Sequence, residues 1–218
     1  MNLPNNKERI SIIGKTGSGK THAGLWHLSV RDFKIPWIVI NTKDDELFYN
    51  IDHSKIIDFD YKFKNSDKGL FIINPLPGQE LILDLFFLKL WDKKNIGILI
   101  DEALDIGNLT GYKRIIRQGR SKQIPIIQLM QRPSGVNRLV ISESEYFQIF
   151  FMKDNRDKEI IQEFIPDYDK KANELQSTRE SYYYDIKEDK TYKVEPLPEL
   201  DIIYDRLHEK LRERYNFI

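Results

Sequence analysis

The sequence predicts an α/β fold with a mostly parallel central sheet, and three observations carry that expectation. Short apolar runs recur at Ser11-Ile12-Ile13, Pro36-Trp37-Ile38-Val39-Ile40, residues 95–100 and residues 124–131. Unbroken runs of this kind suit parallel strands covered on both faces. Stretches of helical composition lie between them, notably 21–33 and 80–91. The first run passes through a glycine-rich turn straight into the first helical stretch, the strand–loop–helix order of a phosphate-binding unit. At 218 residues the chain is long enough for one full core,. The simplest division is a core of residues 1–176 with an appended hairpin and helix over 177–218.

The glycine-rich turn reads Gly14-Lys15-Thr16-Gly17-Ser18-Gly19-Lys20-Thr21 and fits G-x-x-x-x-G-K-[ST] without a mismatch,. Its glycines allow successive backbone N–H groups to wrap around phosphates, and the helix opening near Lys20 presents its positive end to them. Lys20 is the expected charge on the β- and γ-phosphates of a nucleotide, and Thr21 the hydroxyl that ligates Mg²⁺. The expected cofactors are therefore ATP and Mg²⁺.

The run at 36–40 ends in the polar Asn41-Thr42-Lys43-Asp44-Asp45. Within it, Thr42 to Asp45 matches [NT]-K-x-D, the guanine-reading box of small GTPases. There the box follows the magnesium aspartate, whereas here it precedes it, so a polar strand end is the better reading. Residues 50–80 look irregular, with short β-like pieces at 56–59 and 70–73 before the turn at Pro77-Gly78,. Residues 80–91 read as a buried helix; the most hydrophobic part, 81–91, is interrupted by Asp84 and Lys89 and is too short to span a bilayer, so no membrane insertion is expected,.

The apolar strand at 95–100 ends in Asp101-Glu102. Downstream of a phosphate loop, Asp101 is placed to hold the Mg²⁺ shell and Glu102 to orient and deprotonate the attacking water. A carboxylate beside the magnesium ligand favours water as acceptor over another substrate, hence hydrolysis over phosphoryl transfer. Residues 111–118 read as a short helix ended by Gly119, with Arg114 and Arg117 one turn apart and Arg120 just beyond,. The strand at 124–131 places Gln131 at its carboxyl end, where ligands of open α/β sheets bind, as a sensor of the γ-phosphate or water.

Charge is balanced at 34 basic and 34 acidic residues, so net charge identifies no partner. Yet Ile106 to Ser142 contains no Asp or Glu and holds Lys113, Arg114, Arg117, Arg120, Lys122, Arg132 and Arg138, a local positive region,. With no cysteine, disulfides and thiolate zinc sites are excluded,. The four histidines lack metal-ligand spacing, and the segment MNLPNNKERI lacks the apolar run of a signal peptide,. Residues 145–151 read as a strand and 155–164 as a helix; 181–186 and 191–194 read as a hairpin whose aromatics are packing residues rather than base-stacking ones,. Residues 200–215 form a charged amphipathic helix with Ile203, Leu207 and Leu211 along one side, suited to docking on the core or on another subunit,.

The order of phosphate loop, Ile-Asp-Glu strand, Arg-Gln-Gly-Arg segment and Gln-Arg-Pro-Ser strand end resembles the FtsK–HerA superfamily of DNA-pumping ATPases over about residues 8–164. Within it, Ile73-Asn74-Pro75-Leu76-Pro77 and the run from Gln131 to Asp157 look most like the genome-packaging ATPases of membrane-containing icosahedral double-stranded DNA viruses. The resemblance implies a three-layer P-loop NTPase fold of the RecA/ASCE kind. It further implies a homo-oligomeric ring of five or six copies, with double-stranded DNA and capsid packaging-vertex proteins as partners. The expected locations are the virion packaging vertex and the host cytoplasm. A neighbouring copy would supply an arginine to each site, Arg120 first and Arg117 second; direct DNA phosphate contact and plain solvated charge are the other readings of these arginines. A HerA-like repair translocase and a non-motor nucleotide switch are the alternative functions.

Overall fold

The computed structural model describes residues 1–175 and 179–215. Strand and helix alternate through β1 (Ile10–Ile13), α1 (Lys20–Ser29), β2 (Pro36–Ile40), β3 (Lys55–Ile56), β4 (Gly69–Ile73), α2 (Glu80–Lys93) and β5 (Gly97–Ile100). They continue through α3 (Ala103–Ile106), α4 (Thr110–Gln118), β6 (Ile126–Met130), α5 (Arg138–Ser142), β7 (Tyr146–Phe150), α6 (Asn155–Gln162) and α7 (Tyr168–Ala172). The hairpin β8 (Ser181–Asp185) and β9 (Lys190–Val194) and the last helix α8 (Leu200–Tyr215) follow.

The described strands form one nine-stranded sheet in the order β3-β4-β2-β5-β6-β1-β7-β8-β9. β3 through β7 in that order pair in parallel, and β8 and β9 extend the sheet in antiparallel fashion from β7. Every residue of β1, β2, β4, β5, β6 and β7 is buried, the polar Ser11, Gln128 and Gln148 included, as strands covered on both faces require,. One face packs against Ala23, Leu25 and Leu28 of α1 and Ile203, Leu207 and Leu211 of α8. The other is covered by α2 to α7 through residues such as Phe87, Tyr112, Ile115, Val140, Ile161 and Tyr168. Two helical layers thus enclose the sheet.

Two expectations about the helices need adjustment. The first helix stops at Ser29 rather than Phe33. There Lys210 Nζ donates to Ser29 O at 2.7 Å and Arg31 O at 3.1 Å, so a cation on α8 satisfies terminal carbonyls of α1,. The second correction concerns α2, read as a buried helix: it buries Leu83, Phe86, Phe87 and Leu90, but Leu81, Ile82 and Leu85 are exposed. Composition counted its apolar residues without showing that only one side meets the sheet and α4. Gly119 ends α4 as the sequence indicates, with φ −66°. A Cβ there would lie 2.4 Å from Ile115 O and 2.8 Å from Arg9 Nη2, and close approach excludes one.

That contact belongs to a polar frame beneath the sheet. Arg9, 1% exposed, donates through Nη1 to Ile116 O at 2.7 Å and through Nη2 to Ile115 O at 3.1 Å, capping α4. Deeper in, Gln128 Nε2 donates to Ser11 Oγ at 2.7 Å and Val140 O at 2.8 Å, while the Tyr112 hydroxyl donates to Gln128 Oε1. The Ser11 and Ser144 hydroxyls are 2.7 Å apart. β1, β6, α4 and α5 are thereby bonded together inside the apolar core.

The appended segment is structurally continuous with the core. Tyr182, Tyr183 and Tyr184 of β8 are buried, so the hairpin aromatics are packing residues. Helix α8 docks on the core of its own chain. The proposed division at 176/177 lies outside the described residues. No described helix is long and apolar enough to cross a membrane. Because Leu207 is fully buried between α8 and the sheet, Leu207→Ala should lower unfolding free energy by about 2–5 kcal/mol. Urea denaturation measures this directly; a loss below about 0.5 kcal/mol would mean that α8 does not contribute to the core in solution.

Candidate active site

The parallel register brings three strand ends to one edge of the sheet. β6 lies between β1 and β5, with Ile13 opposite Met130 and Ile100 opposite Gln128. The loop after β1, Asp101-Glu102 after β5 and Gln131 after β6 therefore emerge side by side, at the edge where open α/β sheets bind ligands.

The loop has the shape its glycines allow. Gly17 and Gly19 adopt φ +77° and +97°, and Gly19 caps α1 in that left-handed conformation,. A Cβ on Gly14 would stand 2.5 Å from Ser18 Oγ and 2.8 Å from Phe150 Cβ. Lys20 folds back so that Nζ donates to Lys15 O at 3.0 Å. The Thr21 hydroxyl lies 3.4 Å from Asp101 Oδ1. The buried Asp101 Oδ2 and Ser18 Oγ have no hydrogen-bond partner.

Glu102, 2% exposed, is held at both oxygens. Lys43 Nζ pairs with Oε2 at 2.7 Å, and Oε1 accepts from Gln131 N at 3.3 Å and Leu104 N at 3.4 Å. Lys43 is the residue that sequence reasoning missed. It had been grouped with a polar strand end, but β2 neighbours β5, so a cation just past β2 reaches an acid just past β5.

Burial and mutual charge shift these groups away from ordinary protonation. Desolvation, reinforced by Asp45 and Glu102 and opposed by Lys43 and Lys20, pushes Asp101 up to about 7,. Desolvation and the neighbouring Lys43, opposed by Glu102 and Asp101, pull Lys20 down to about 8. A carboxylate raised in this way, with one oxygen beside a threonine hydroxyl and the other buried without a partner, suits a divalent cation,. The described residues contain no cluster of three or more His, Cys, Asp or Glu that could hold a metal by themselves. One hydroxyl and one carboxylate fit Mg²⁺, which keeps waters and takes phosphate oxygens.

Arg120 and Arg117 do not lie at this edge. Arg120 Nε pairs with Glu145 Oε1 at 3.0 Å, and its Nη2 donates to Glu143 O at 3.2 Å. Glu145 precedes β7 and also accepts from Arg9 N, just before β1, at 2.9 Å. Arg120 therefore lies at the amino-terminal edge of the sheet, a strand's length or roughly 15 Å from the phosphate loop of its own chain. Arg117 is exposed in the last turn of α4. The positive run seen in the sequence also divides in space, because β6 carries the chain across the sheet between Lys122 and Arg132. Arg114 and Lys122 stack over Trp91 at 3.9 and 4.1 Å, whereas Arg138 pairs with Glu163.

A glycine-rich loop, a neighbouring acid pair and an intervening strand that ends in a polar residue define a P-loop NTPase of the ASCE class. The comparisons narrow this further. The chain is 38% identical over 217 residues to the DNA packaging ATPase P9 of Enterobacteria phage PRD1, covering 94% of this chain and 93% of that one. It belongs to the family of that DNA packaging ATPase. No family model matches the sequence. Among solved structures, the fold is shared with B204, the DNA-packaging ATPase of Sulfolobus turreted icosahedral virus, at TM-score 0.66 and 20% identity, covering 90% of this chain and 100% of that one. The B204 genome packaging NTPase of Sulfolobus turreted icosahedral virus 2, bound to AMPPCP, matches at TM-score 0.65 and 14% identity, covering 89% of this chain and 100% of that one.

The raised Asp101 carries a stability consequence. Its contribution is fully present below the unfolded value of 3.8 and is lost as pH rises through about 7,. In metal-free buffer, Asp101→Asn should therefore stabilise the protein relative to wild type by about 1–3 kcal/mol more at pH 8 than at pH 4. Paired denaturation curves at the two pH values test this, and a pH-independent difference would show that Asp101 titrates normally.

Proposed function

We propose that this chain is an ATP-hydrolysing motor that drives double-stranded DNA into a preformed viral capsid. The observation that carries the reading is the convergence of Lys20, Thr21, Asp101, Glu102 and Gln131 at one sheet edge, in a chain whose relative at 38% identity is a DNA packaging ATPase.

Gly14, whose N–H donates to Met130 O at 3.1 Å, opens the loop, the backbone N–H groups of Lys15, Thr16, Gly17, Ser18, Gly19 and Lys20 bind the phosphates of ATP, and Lys20 swings from Lys15 O to the β- and γ-phosphates,. Thr21 and Asp101 hold Mg²⁺, which supplies charge neutralisation on the phosphates. Glu102 orients water and accepts its proton, which requires its ion pair with Lys43 to open. Gln131 senses the γ-phosphate through its position at the end of β6 and through its N–H on Glu102.

Arg120, or else Arg117, completes the site of a neighbouring copy in a homo-oligomeric ring. Support comes from its placement on the edge opposite its own phosphate loop, and the role requires its ion pair with Glu145 to open. An arginine supplied in this way contributes roughly 10³ to 10⁵ in rate, about 4 to 7 kcal/mol. DNA backbone contact falls to the exposed or half-exposed cations that pair with no carboxylate among the described residues: Lys113, Arg114, Arg117, Lys122 and Arg132. Such contact is independent of sequence and weakens with salt. The motor works at the packaging vertex of the virion, on capsid vertex proteins, after assembly in the host cytoplasm.

Long duplex DNA should raise ATP turnover well above the rates with single-stranded DNA or RNA, and Lys20→Ala should abolish it. Unchanged turnover in Lys20→Ala would overturn the reading. A shared site makes a sharper prediction. Mixed rings of Glu102→Gln and Arg120→Ala protein, each inactive alone, should recover part of the ATPase activity, because some interfaces then carry both native groups. Absence of recovery in verified mixed rings removes Arg120 from this role.

A further inference from the structure

Both carboxylate oxygens of Glu102 are engaged, and Lys43 occupies the one that a water molecule would need. We propose that Lys43 is a catalytic residue: when a nucleoside triphosphate binds, its ammonium leaves Glu102 for the γ-phosphate, which frees the base and adds a second cation beside Lys20. The inference rests on the phosphate-loop reading above and adds what opens the ion pair.

The chain builds Lys43 into its place. β2 pairs with β5, with Ile40 opposite Ile100, and Asp101 N donates to Ile40 O at 3.1 Å, so the segment after β2 starts beside the acid pair. Asn41, 1% exposed, closes that segment on itself: its Oδ1 accepts from Asp45 N at 2.9 Å, and its Nδ2 donates to Asp45 O at 3.3 Å. Asp44 makes the turn at φ +54°, a left-handed conformation that a short polar residue tolerates,. Asp45 secures the far end by accepting from Leu47 N at 3.0 Å. A turn tied at both ends thus aims Lys43 at Glu102.

The two oxygens of Glu102 are held differently. Oε1 accepts from the backbone N–H groups of Gln131 and Leu104. Oε2 is paired with Lys43 Nζ at 2.7 Å. Withdrawal of Lys43 therefore leaves the carboxylate anchored through Oε1, with Oε2 open to water. The Lys43 side chain is 36% exposed, against 3% for Glu102, so the lysine is the partner free to move. Its charge already reaches the phosphate end: after burial, Lys43 is the strongest influence pulling down the Lys20 amine. A polyanion entering between two such cations relieves their repulsion, and a terminal phosphate carries more negative charge than one carboxylate. ADP brings no γ-phosphate and leaves the pair closed. In the chemical step the water oxygen bonds to the γ-phosphorus, its proton passes to Glu102, and the bond to the β–γ bridging oxygen breaks, giving ADP and inorganic phosphate. Glu102 then gives its proton to solvent, and departure of the phosphate returns Lys43 to Oε2.

The γ-phosphate is the variable that tests this. Binding of ADP and of AMPPCP, which keeps a γ-phosphate and resists hydrolysis, is measured by calorimetry for wild type, Lys43→Ala and Lys43→Arg. Lys43→Ala should weaken AMPPCP about tenfold, leave ADP within about twofold and lower kcat for ATP about tenfold or more, whereas Lys43→Arg should hold AMPPCP within about threefold of wild type. Equal effects on the two nucleotides, or a kcat for Lys43→Ala that is unchanged or raised, would mean that Lys43 only restrains Glu102, and would overturn the proposal. Lys20→Ala is the reference for the phosphate end: if it weakens neither nucleotide, the phosphate-loop reading fails instead. The unaltered protein supplies a second measurement. With ¹⁵N-labelled lysine, the Lys43 ammonium resonance, assigned by its loss in Lys43→Arg, should move on addition of AMPPCP and stay in place with ADP. The same response to both nucleotides overturns the proposal as well.

Discussion

Four charges share a small, largely dehydrated space at the carboxyl edge of the sheet. Lys20, Asp101 and Glu102 are each less than a tenth exposed, and Lys43 closes the group with its ion pair to Glu102. A lone ion in such surroundings would cost several kcal/mol. The two cations and two carboxylates offset part of one another's desolvation, while Asp45 adds a further negative charge that acts on Asp101. The compensation is incomplete: Asp101 is held up near 7 and Lys20 down near 8. The residual discomfort is resolved by a ligand that brings its own opposite charges, phosphates for the lysines and a cation for the aspartate. A site built in this way suits the Mg²⁺–nucleotide complex of the function proposed above.

The parts of this arrangement that were legible in the sequence are those whose chemistry is local. A phosphate loop declares itself because glycine spacing, lysine and threonine must be contiguous to wrap one anion, and its neighbouring strands follow from runs without polar interruption. Asp101 and Glu102 were readable for a related reason, since a strand end is a local feature and the loop upstream supplied the context. Lys43, Arg9 and Glu145 were not. Each acts through a neighbour across the sheet, and the order that puts β2 beside β5 and β1 beside β7 is fixed by long-range packing. The same limit explains the positive run between Lys113 and Arg138. Contiguous in the chain, it is parted in space by β6, and two of its members are already neutralised by Glu145 and Glu163.

Helix α2 and the hairpin show the limit from the side of packing. Apolar content alone made α2 a buried helix, but the number of apolar residues does not say how many sides are covered, and Leu81, Ile82 and Leu85 face outward. Tyr183 and Tyr184 of β8 enter the cores on opposite faces of the sheet, because β8 pairs with β7 and is covered on both sides. The amphipathic stripe of α8 left two docking partners open, and the structure selects the core of the same chain, where Ile203, Leu207 and Leu211 are fully buried.

The buried strut made by Ser11, Gln128, Ser144 and Tyr112 has a mechanical consequence. Side chains on a strand alternate between faces, so a slip of β6 past β1 by one residue would swing Gln128 to the opposite face and break all of its hydrogen bonds in a place that water does not reach,. Arg9 adds a clamp between the foot of β1 and the end of α4. The centre of the molecule is consequently a stiff plate rather than a spring. Any working stroke must arise in the loops along its rim or in the tilting of the whole body.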